Sequence, residues 1–184
     1  MRNSRIRPDV NAGSVADIAF LLLIFFLVCT TISVEEGIAR VLPKPCADGV
    51  PCNVSIAQNN LLTIALGENN QLLVNDMVED ISNLKYILVD FIDNNASKSC
   101  NYCLGAGLPL ASDHPKKAMI SIETMRNASY DSYIAVQDEI TAAYFELRVR
   151  YAALQFDKPL NELTPQELKQ VKDAYPFQIM ESSL

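Results

Sequence analysis

The fold of this chain is decided by residues 15–34, Val15-Ala-Asp-Ile-Ala-Phe-Leu-Leu-Leu-Ile-Phe-Phe-Leu-Val-Cys-Thr-Thr-Ile-Ser-Val34. The stretch contains a single charged side chain, that of Asp17. At a rise of about 1.5 Å per residue it makes about 30 Å of helix, which matches the hydrocarbon thickness of a bilayer. The sequence therefore predicts one transmembrane helix over residues 15–34.

Asp17 has a functional and a structural interpretation. A carboxylate in an apolar span costs at least ~2.5 kcal/mol on insertion scales, so such an acid is a functional hypothesis by default. Ser14 stands three residues before Asp17, as in a capping box, and an acid in the first turn suits the positive end of the helix dipole. The two interpretations are compatible with each other.

Cleavage of the apolar stretch as a signal peptide is the weaker interpretation. Its core, 18–28, has the length of a signal-peptide core, but three phenylalanines fill it and no Ala-x-Ala pattern follows. A lipoprotein signal at Cys29 is also disfavoured, because the bulky Val28 precedes it. We therefore expect the segment to stay as a membrane anchor.

The charges on either side of the span predict its orientation. Three arginines precede it at positions 2, 5 and 7, whereas Glu35 and Glu36 follow it directly. Cytoplasmic flanks carry the excess of Lys and Arg, so the N-terminus is expected in the cytoplasm. The predicted organisation is a cytoplasmic tail over 1–14, the helix over 15–34, an exported linker over 35–60 and an exported domain over 61–184.

The exported domain alternates strand and helix patterns. Hydrophobic periodicity and turn signals predict a small α+β fold. One face of the second long helix, formed by Ile140, Tyr144, Leu147, Tyr151 and Leu154, is expected to be core or else a dimer seam. The predicted elements are strands 61–66 and 71–75 joined by the turn 67–70, helix 81–94, strand 118–123, helix 130–154, a short helix begun by Thr164-Pro165, and strand 177–181.

The cysteines fall into two groups. Cys29 lies in the span, where a thiol behaves as a small hydrophobe, and the other four are exported. An even count in an oxidising compartment predicts disulfides, and four thiols allow three pairings. A four-thiolate zinc site and thioredoxin-like chemistry at the Cys-x-x-Cys pair are weaker interpretations. The four are Cys46 and Cys52 in the linker and Cys100 and Cys103 in a polar insert over 95–117.

Composition and motifs exclude several classes of function. The net charge of -7 and the pI of about 4.7 argue against nucleic-acid binding and against a basic membrane-surface patch. The sequence has no glycine-rich phosphate loop, nucleophile elbow or paired-carboxylate signature, and the single histidine, His114, is expected to be solvated in a loop. We therefore predict no enzymatic activity, cofactor or metal.

The N-terminal residues resemble one known family. The stretch Asp9-Val-Asn-Ala-Gly-Ser-Val-Ala-Asp-Ile-Ala-Phe-Leu-Leu-Leu-Ile-Phe-Phe-Leu-Val-Cys-Thr-Thr31 is similar to the membrane anchor of the ExbD/TolR family, especially its versions in Bacteroidetes-like bacteria. The pair Val10-Asn11 and the acid Asp17 match positions of the family pattern. The segment 38–43, Ile-Ala-Arg-Val-Leu-Pro, also resembles the exit from the span in that family.

The resemblance implies a concrete function. Family members sit in the bacterial inner membrane and form a proton channel with a polytopic partner, ExbB or TolQ. ExbD-like members serve TonB-dependent outer-membrane uptake, and TolR-like members serve envelope integrity. The family fold implies a periplasmic sheet backed by two helices that commonly dimerises, with no stated role for the insert and the tail. Carried over to this chain, the protonatable group is Asp17.

Five further residues of the anchor belong to this hypothesis. Asn11 and Ser14 stand at the start of the span, and Thr30, Thr31 and Ser33 at its end. The three hydroxyls are channel-lining candidates, although such groups more often bond back to the preceding turn of their own helix. The competing hypothesis is a passive anchor whose periplasmic domain contacts envelope material such as peptidoglycan, with Asp17 only capping its helix.

Overall fold

The structure is a computed structural model that describes residues 12–30, 56–67 and 71–183 of the 184 in the chain. The chain divides into two compact units, residues 1–52 and residues 53–184. The first contains the apolar helix, and the second contains a small α+β domain. A single membrane-spanning helix followed by such a domain is the fold class that the sequence predicts.

The apolar helix, α1, comprises Ala12–Cys29. It begins three residues before the predicted span, so Ala12, Gly13 and Ser14 are helical as well. It is the one helix among the described residues that is long and apolar enough to cross a membrane. All of its side chains are exposed, as expected of a helix whose cover is lipid or another chain.

The second unit is built on a five-stranded sheet in the order β3-β2-β1-β4-β5, counted over the described residues. The central strand β1 runs antiparallel to β2 and parallel to β4. The outer pairs are β2–β3, antiparallel, and β4–β5, parallel. The strands are β1 Leu61–Leu66, β2 Leu72–Val74, β3 Met77–Glu79, β4 Met119–Thr124 and β5 Ile179–Ser183.

The predicted hairpin of β1 and β2 is confirmed, but the sequence did not predict β3. A second reversal at Asn75 and Asp76 follows β2, and both residues have positive φ, 47° and 66°. Asn and Asp tolerate this region better than other non-glycine residues, which suits a two-residue hairpin turn. The Asn75 side chain fixes the turn, because its Oδ1 accepts a hydrogen bond from the backbone N of Thr63 at 3.0 Å.

Two long helices, α2 (Ile81–Ile92) and α3 (Tyr130–Phe156), contribute side chains to the same core as the strands. Asp80 caps the first helix and Ser129 the second, each through a side-chain oxygen that accepts a backbone N–H. Alternation along β1 turns Leu62, Ile64 and Leu66 into the core. The largest fully buried apolar side chains are Ile64, Leu66, Leu84, Leu88, Ile92, Ile120, Ile122, Val136, Ile140, Tyr144 and Leu147.

The predicted face of α3 is core only over its first part. Ile140, Tyr144 and Leu147 are fully buried, whereas Tyr151 is half-buried and Leu154 is exposed. The face predicted to be core or else a dimer seam is therefore core at Ile140, Tyr144 and Leu147 and exposed at Leu154.

The C-terminal segment completes the sheet. Helix α4 (Pro165–Ala174) starts with the predicted capping box, in which Thr164 and Glu167 bond each other's backbone. The last strand begins two residues later than predicted, because Phe177 packs its ring on Tyr144 at 4.8 Å before the strand pairs with β4.

Candidate functional site

Asp17 is the sixth residue of α1 and the only charged one. By the helical rise it lies about 8 Å along the axis from the first residue and about 18 Å from the last. The first turn contains no acidic residue. The carboxyl therefore lies beyond the turn where the unpaired N–H groups of a helix start are found.

The capping interpretation does not fit this helix. An N-cap residue has non-helical backbone angles and precedes the first helical turn. Ser14 is instead the third residue of α1, so Ser14 and Asp17 cannot form a capping box at its start. The feature that favoured a purely structural role for Asp17 is therefore absent from the described helix.

The neighbours of Asp17 on the helix surface change in size along the axis. One turn earlier lie Gly13 and Ser14, and one turn later lie Phe20 and Leu21. Small residues let a neighbouring helix approach closely in a membrane, and large apolar ones do not. The carboxyl thus stands at the boundary between a small-residue surface and a bulky one.

Asp17 has no hydrogen-bonding or ionic partner among residues 12–30, 56–67 and 71–183. The described ion pairs all lie in the α+β domain. Lipid supplies no hydrogen-bonding groups, so a polar side chain on a single span needs partners from elsewhere.

Thr30 follows the last residue of α1. Its backbone N bonds the carbonyl oxygen of Phe26 at 2.9 Å, and its Oγ1 donates to the carbonyl oxygen of Leu27 at 3.2 Å. The hydroxyl is thus used within its own helix, which is the ordinary role of such a residue. The other candidates of the anchor, Asn11, Thr31 and Ser33, lie outside the described residues.

The domain also holds a group of interacting polar and aromatic side chains, which the sequence did not predict. We name it the Asp93 cluster, formed by Asp93, Tyr102, Arg150, Tyr151 and Tyr175. The Asp93 carboxylate is almost fully buried at the end of α2. It accepts hydrogen bonds from the Tyr175 hydroxyl at 2.6 Å and the Leu104 backbone N at 3.1 Å, and Arg150 Nη1 lies 3.4 Å away.

The electrostatics of the cluster follow from burial. Loss of water raises the pKa of Asp93, and the bonds from Tyr175 and Leu104 and the charge of Arg150 oppose that rise. Burial also raises the pKa of Tyr102 to about 12 and, together with the Asp93 carboxylate, raises the pKa of Tyr175. The two tyrosines therefore act as hydrogen-bond donors at neutral pH.

The cluster joins the insert to the C-terminal segment. The ring of Tyr102 meets those of Tyr151 and Tyr175 edge to face at 5.0 and 5.5 Å, and its hydroxyl donates to the carbonyl oxygen of Ala174 at 2.9 Å. Arg148 donates from Nε and Nη2 to the carbonyl oxygen of Tyr175. The arrangement positions chain segments and brings no nucleophile to a cleft, so it is structural.

Cys100 and Cys103 form a disulfide with a Cα–Cα distance of 5.6 Å. This is one of the local pairings that the sequence allows, and it holds Tyr102 between its two ends. The bond lies in an irregular segment, without the strand-to-helix turn of a thioredoxin motif. Cys46 and Cys52 lie outside the described residues, and the described part of the chain has no group of three metal-ligating side chains.

His114 is less exposed than the sequence suggests. Its ring lies edge to face with Tyr102 at 6.0 Å, and its Nδ1 accepts a hydrogen bond from the Lys116 backbone N at 3.1 Å. Burial and the two neighbouring lysines lower its pKa. The imidazole thus lies in a loop, as predicted, but it is only partly exposed and packs against the cluster.

A comparison with known protein families identifies the family of this chain. The family described as "Biopolymer transport protein ExbD/TolR" matches residues 3–152 of the chain. The chain belongs to the ExbD/TolR family. The family match and α1 make it a single-pass inner-membrane protein with a general role in a biopolymer-transport motor. ExbD/TolR proteins are non-enzymatic and generally work with ExbB/TolQ and TonB/TolA-like partners.

No curated protein matches the chain in the same comparisons. The ExbD/TolR match ends at residue 152, within α3. The segment beyond it nevertheless contributes the buried Tyr175 and the strand β5 that pairs with β4. The tail of this chain is thus part of its fold rather than an appendage.

Proposed function

We propose that this ExbD/TolR-family chain is a subunit of a proton-channel motor, and that Asp17 is its protonatable group. The observation that carries the proposal is a lone carboxyl on an apolar helix, beyond the first turn and without a partner in the described chain. Such a residue is costly in lipid and needs a compensating role. An ExbB/TolQ-like polytopic protein would supply the surrounding surface, since one span cannot enclose a path for protons.

The general chemistry of a carboxyl in lipid supports this role. Transfer into an apolar environment disfavours the charged form of a carboxyl relative to its neutral form. Neutral Asp17 would prefer an apolar surface of the partner, and ionised Asp17 a polar or hydrated one. Each proton that crosses 100 mV carries roughly 2.3 kcal/mol, and several such steps coupled together can drive a mechanical change.

The orientation of the chain in the membrane and the protein to which it transmits energy are parts of the same proposal. The arginines at positions 2, 5 and 7 favour a cytoplasmic N-terminus, which places the α+β domain in the periplasm. There we propose that the domain works as a homodimer and transmits the change to a TonB-like protein, in support of outer-membrane uptake. The expected boundaries remain a tail over 1–14, a linker over 35–60 and a domain over 61–184.

Proton flux in the native complex tests the role of Asp17. The variants are Asp17→Asn, which keeps the size and polarity of the side chain but does not titrate in this range, and Asp17→Glu, which still titrates. We expect flux and TonB-dependent growth to be lost with Asn and partly retained with Glu. Cys29→Ala serves as the matched control, because Cys29 lies on the same exposed helix and its thiol acts there as a small hydrophobe.

The opposite result would favour the passive anchor. Full proton flux and growth with Asp17→Asn would contradict a titrating role and leave a membrane-anchored protein that contacts the envelope. Copurification gives a second readout: in mild detergent the chain should be isolated with a polytopic partner. Isolation only as a free monomer would argue against the channel.

A further inference from the structure

The insert presents three exposed leucines on one short loop. We name residues 103–111, Cys-Leu-Gly-Ala-Gly-Leu-Pro-Leu-Ala, the leucine loop. The exposed fractions are 64 % for Leu104, 58 % for Leu108 and 91 % for Leu110. Single exposed apolar residues need no explanation, but a group of large ones on one loop marks an interaction surface. None of the three contributes to the core of the domain.

The leucine loop is held in place by the buried residues that end α2. Asn94 brackets Leu108, since its Oδ1 accepts from the Leu108 N at 2.7 Å and its Nδ2 donates to the Leu108 carbonyl oxygen at 2.8 Å. The Asp93 carboxylate accepts from the N of Leu104, and its carbonyl oxygen accepts from the N of Gly105 at 3.1 Å. The backbone is fixed while the leucine side chains point away from the core, so little order has to be gained on binding.

The charge of the insert differs in sign from that of the chain. Residues 95–117 contain Lys98, Lys116 and Lys117 against Asp113, which gives +2, whereas the whole chain carries -7. Lys117 lies 3.7 Å from Asp113, while Lys98 and Lys116 are exposed and form no ion pair among the described residues. Asp76 and Glu123, which belong to other segments, line the same surface depression as Leu110, so attraction to an anionic lipid surface falls to Lys98 and Lys116 of the insert itself.

The covalent chain limits how far this loop can lie from the membrane that holds α1. Residues 31–55 separate Thr30, at the end of α1, from Ile56, where the description of the domain begins. Even a fully extended chain of that length limits the separation to about 90 Å. Confinement of this kind raises the effective concentration of lipid at the domain, so a weak insertion becomes significant.

We propose that the leucine loop inserts into the interfacial region of the leaflet that faces the domain. The occupant is an anionic lipid surface, with Leu104, Leu108 and Leu110 in the acyl boundary and Lys98 and Lys116 among the headgroups. The proposal does not depend on proton transport, and its failure would leave the role of Asp17 untouched.

Tryptophan fluorescence tests the insertion directly, because the chain contains no tryptophan. The full chain with Leu108→Trp is reconstituted in phosphatidylethanolamine–phosphatidylglycerol vesicles that contain brominated lipid. We expect blue-shifted emission that brominated lipid lowers about twofold or more, as for residues at the acyl boundary. The matched control is Phe145→Trp, a replacement at an exposed aromatic position on α3, which is expected to stay solvent-exposed and unquenched.

Two further variants separate the apolar and electrostatic contributions. Adding Leu110→Ser to Leu108→Trp is expected to lower the fraction of inserted loop about tenfold, because one leucine loses its apolar cover. Adding Lys98→Ser and Lys116→Ser is expected to remove the dependence on anionic lipid. Equal quenching in neutral and anionic vesicles before that change would overturn the electrostatic part.

Two results would overturn the proposal itself. Solvent-like emission from Leu108→Trp without quenching would show that the loop stays in water. A blue shift without quenching, which grows with the protein-to-lipid ratio, would show that a second copy of the chain covers the loop instead of lipid. Circular dichroism of each variant confirms that the domain is folded.

Discussion

The hydrogen bond between Tyr175 and Asp93 gives the sharpest stability prediction. The Tyr175 hydroxyl donates to Asp93 Oδ1 at 2.6 Å, and both side chains are almost inaccessible to water. Tyr175→Phe removes this hydroxyl and keeps the ring that packs against Tyr102. The substitution therefore isolates one hydrogen bond to a buried carboxylate.

The expected loss follows from the charge of the acceptor. Hydrogen bonds to charged groups contribute about 1.5–3 kcal/mol, more than neutral ones. Asp93 keeps its bond from the Leu104 N and the nearby Arg150, so the carboxylate is not left without partners. We expect Tyr175→Phe to lower the free energy of unfolding by about 2 kcal/mol at pH 7, a large fraction of the stability of a small domain.

The pH dependence of this loss has a definite sign. Burial raises the pKa of Asp93 above 3.8, so the folded domain binds that proton more tightly than the unfolded chain. The ionised carboxylate therefore costs stability at neutral pH, and the cost falls as the pH drops through the folded pKa. The Tyr175 hydroxyl favours the ionised form, so its removal raises the pKa further. The destabilisation by Tyr175→Phe must shrink on acidification towards pH 4.

Urea unfolding of the full chain in detergent, followed by near-ultraviolet circular dichroism, measures both effects. Tyr130→Phe is the control, because Tyr130 is exposed at the start of α3 and is expected to change stability by no more than about 0.5 kcal/mol. A loss for Tyr175→Phe no larger than that of the control would refute the reasoning. So would an equal loss at pH 7 and pH 4.

Three other substitutions test the packing of the domain by the same unfolding measurement. A Cβ at Gly105 would clash with the Asp93 carbonyl oxygen, so Gly105→Ala should cost about 1–3 kcal/mol, whereas Gly67→Ala, with a nearest contact of 3.5 Å, should cost less. Equal losses of stability for Gly105→Ala and Gly67→Ala would contradict this steric argument. Thr164→Ala removes a capping box and should cost about 1 kcal/mol, and no loss would show that the cap is not needed. Replacing Cys100 and Cys103 by serine should cost about 2 kcal/mol by loop-closure entropy, and unchanged stability would argue against the disulfide.

Local signals in the sequence predicted most of the secondary structure. The strand 61–66, the start of the helix at Ile81, the start of α3 at Tyr130 and the Thr164 cap all lie where periodicity and capping residues indicated. These features depend on neighbours within a few residues, which a sequence displays directly. The strand β3 was missed because three residues are too short for periodicity, although Asn75-Asp76 carried the signal for the turn before it.

Contacts between residues far apart in the sequence could not be predicted from such local signals. Asp93 and Tyr175 are 82 residues apart, and nothing local marks them as partners. Tyr102, Tyr151 and Tyr175 could not be recognised as neighbours from the sequence, because Tyr102 lies in a polar insert without a strand or helix pattern. Asp17 was identified because its signal is local: one charge within an apolar run is visible without any tertiary structure.

The protonation state of Asp17 in the assembled complex is the most direct test of the central claim. Infrared difference spectroscopy in membranes detects the carbonyl band of a neutral carboxyl, and Asp17→Asn identifies which band belongs to this residue. We predict that a band from protonated Asp17 rises and falls as the proton gradient is imposed and dissipated. A carboxylate that stays ionised and exchanges freely with water throughout would contradict the account.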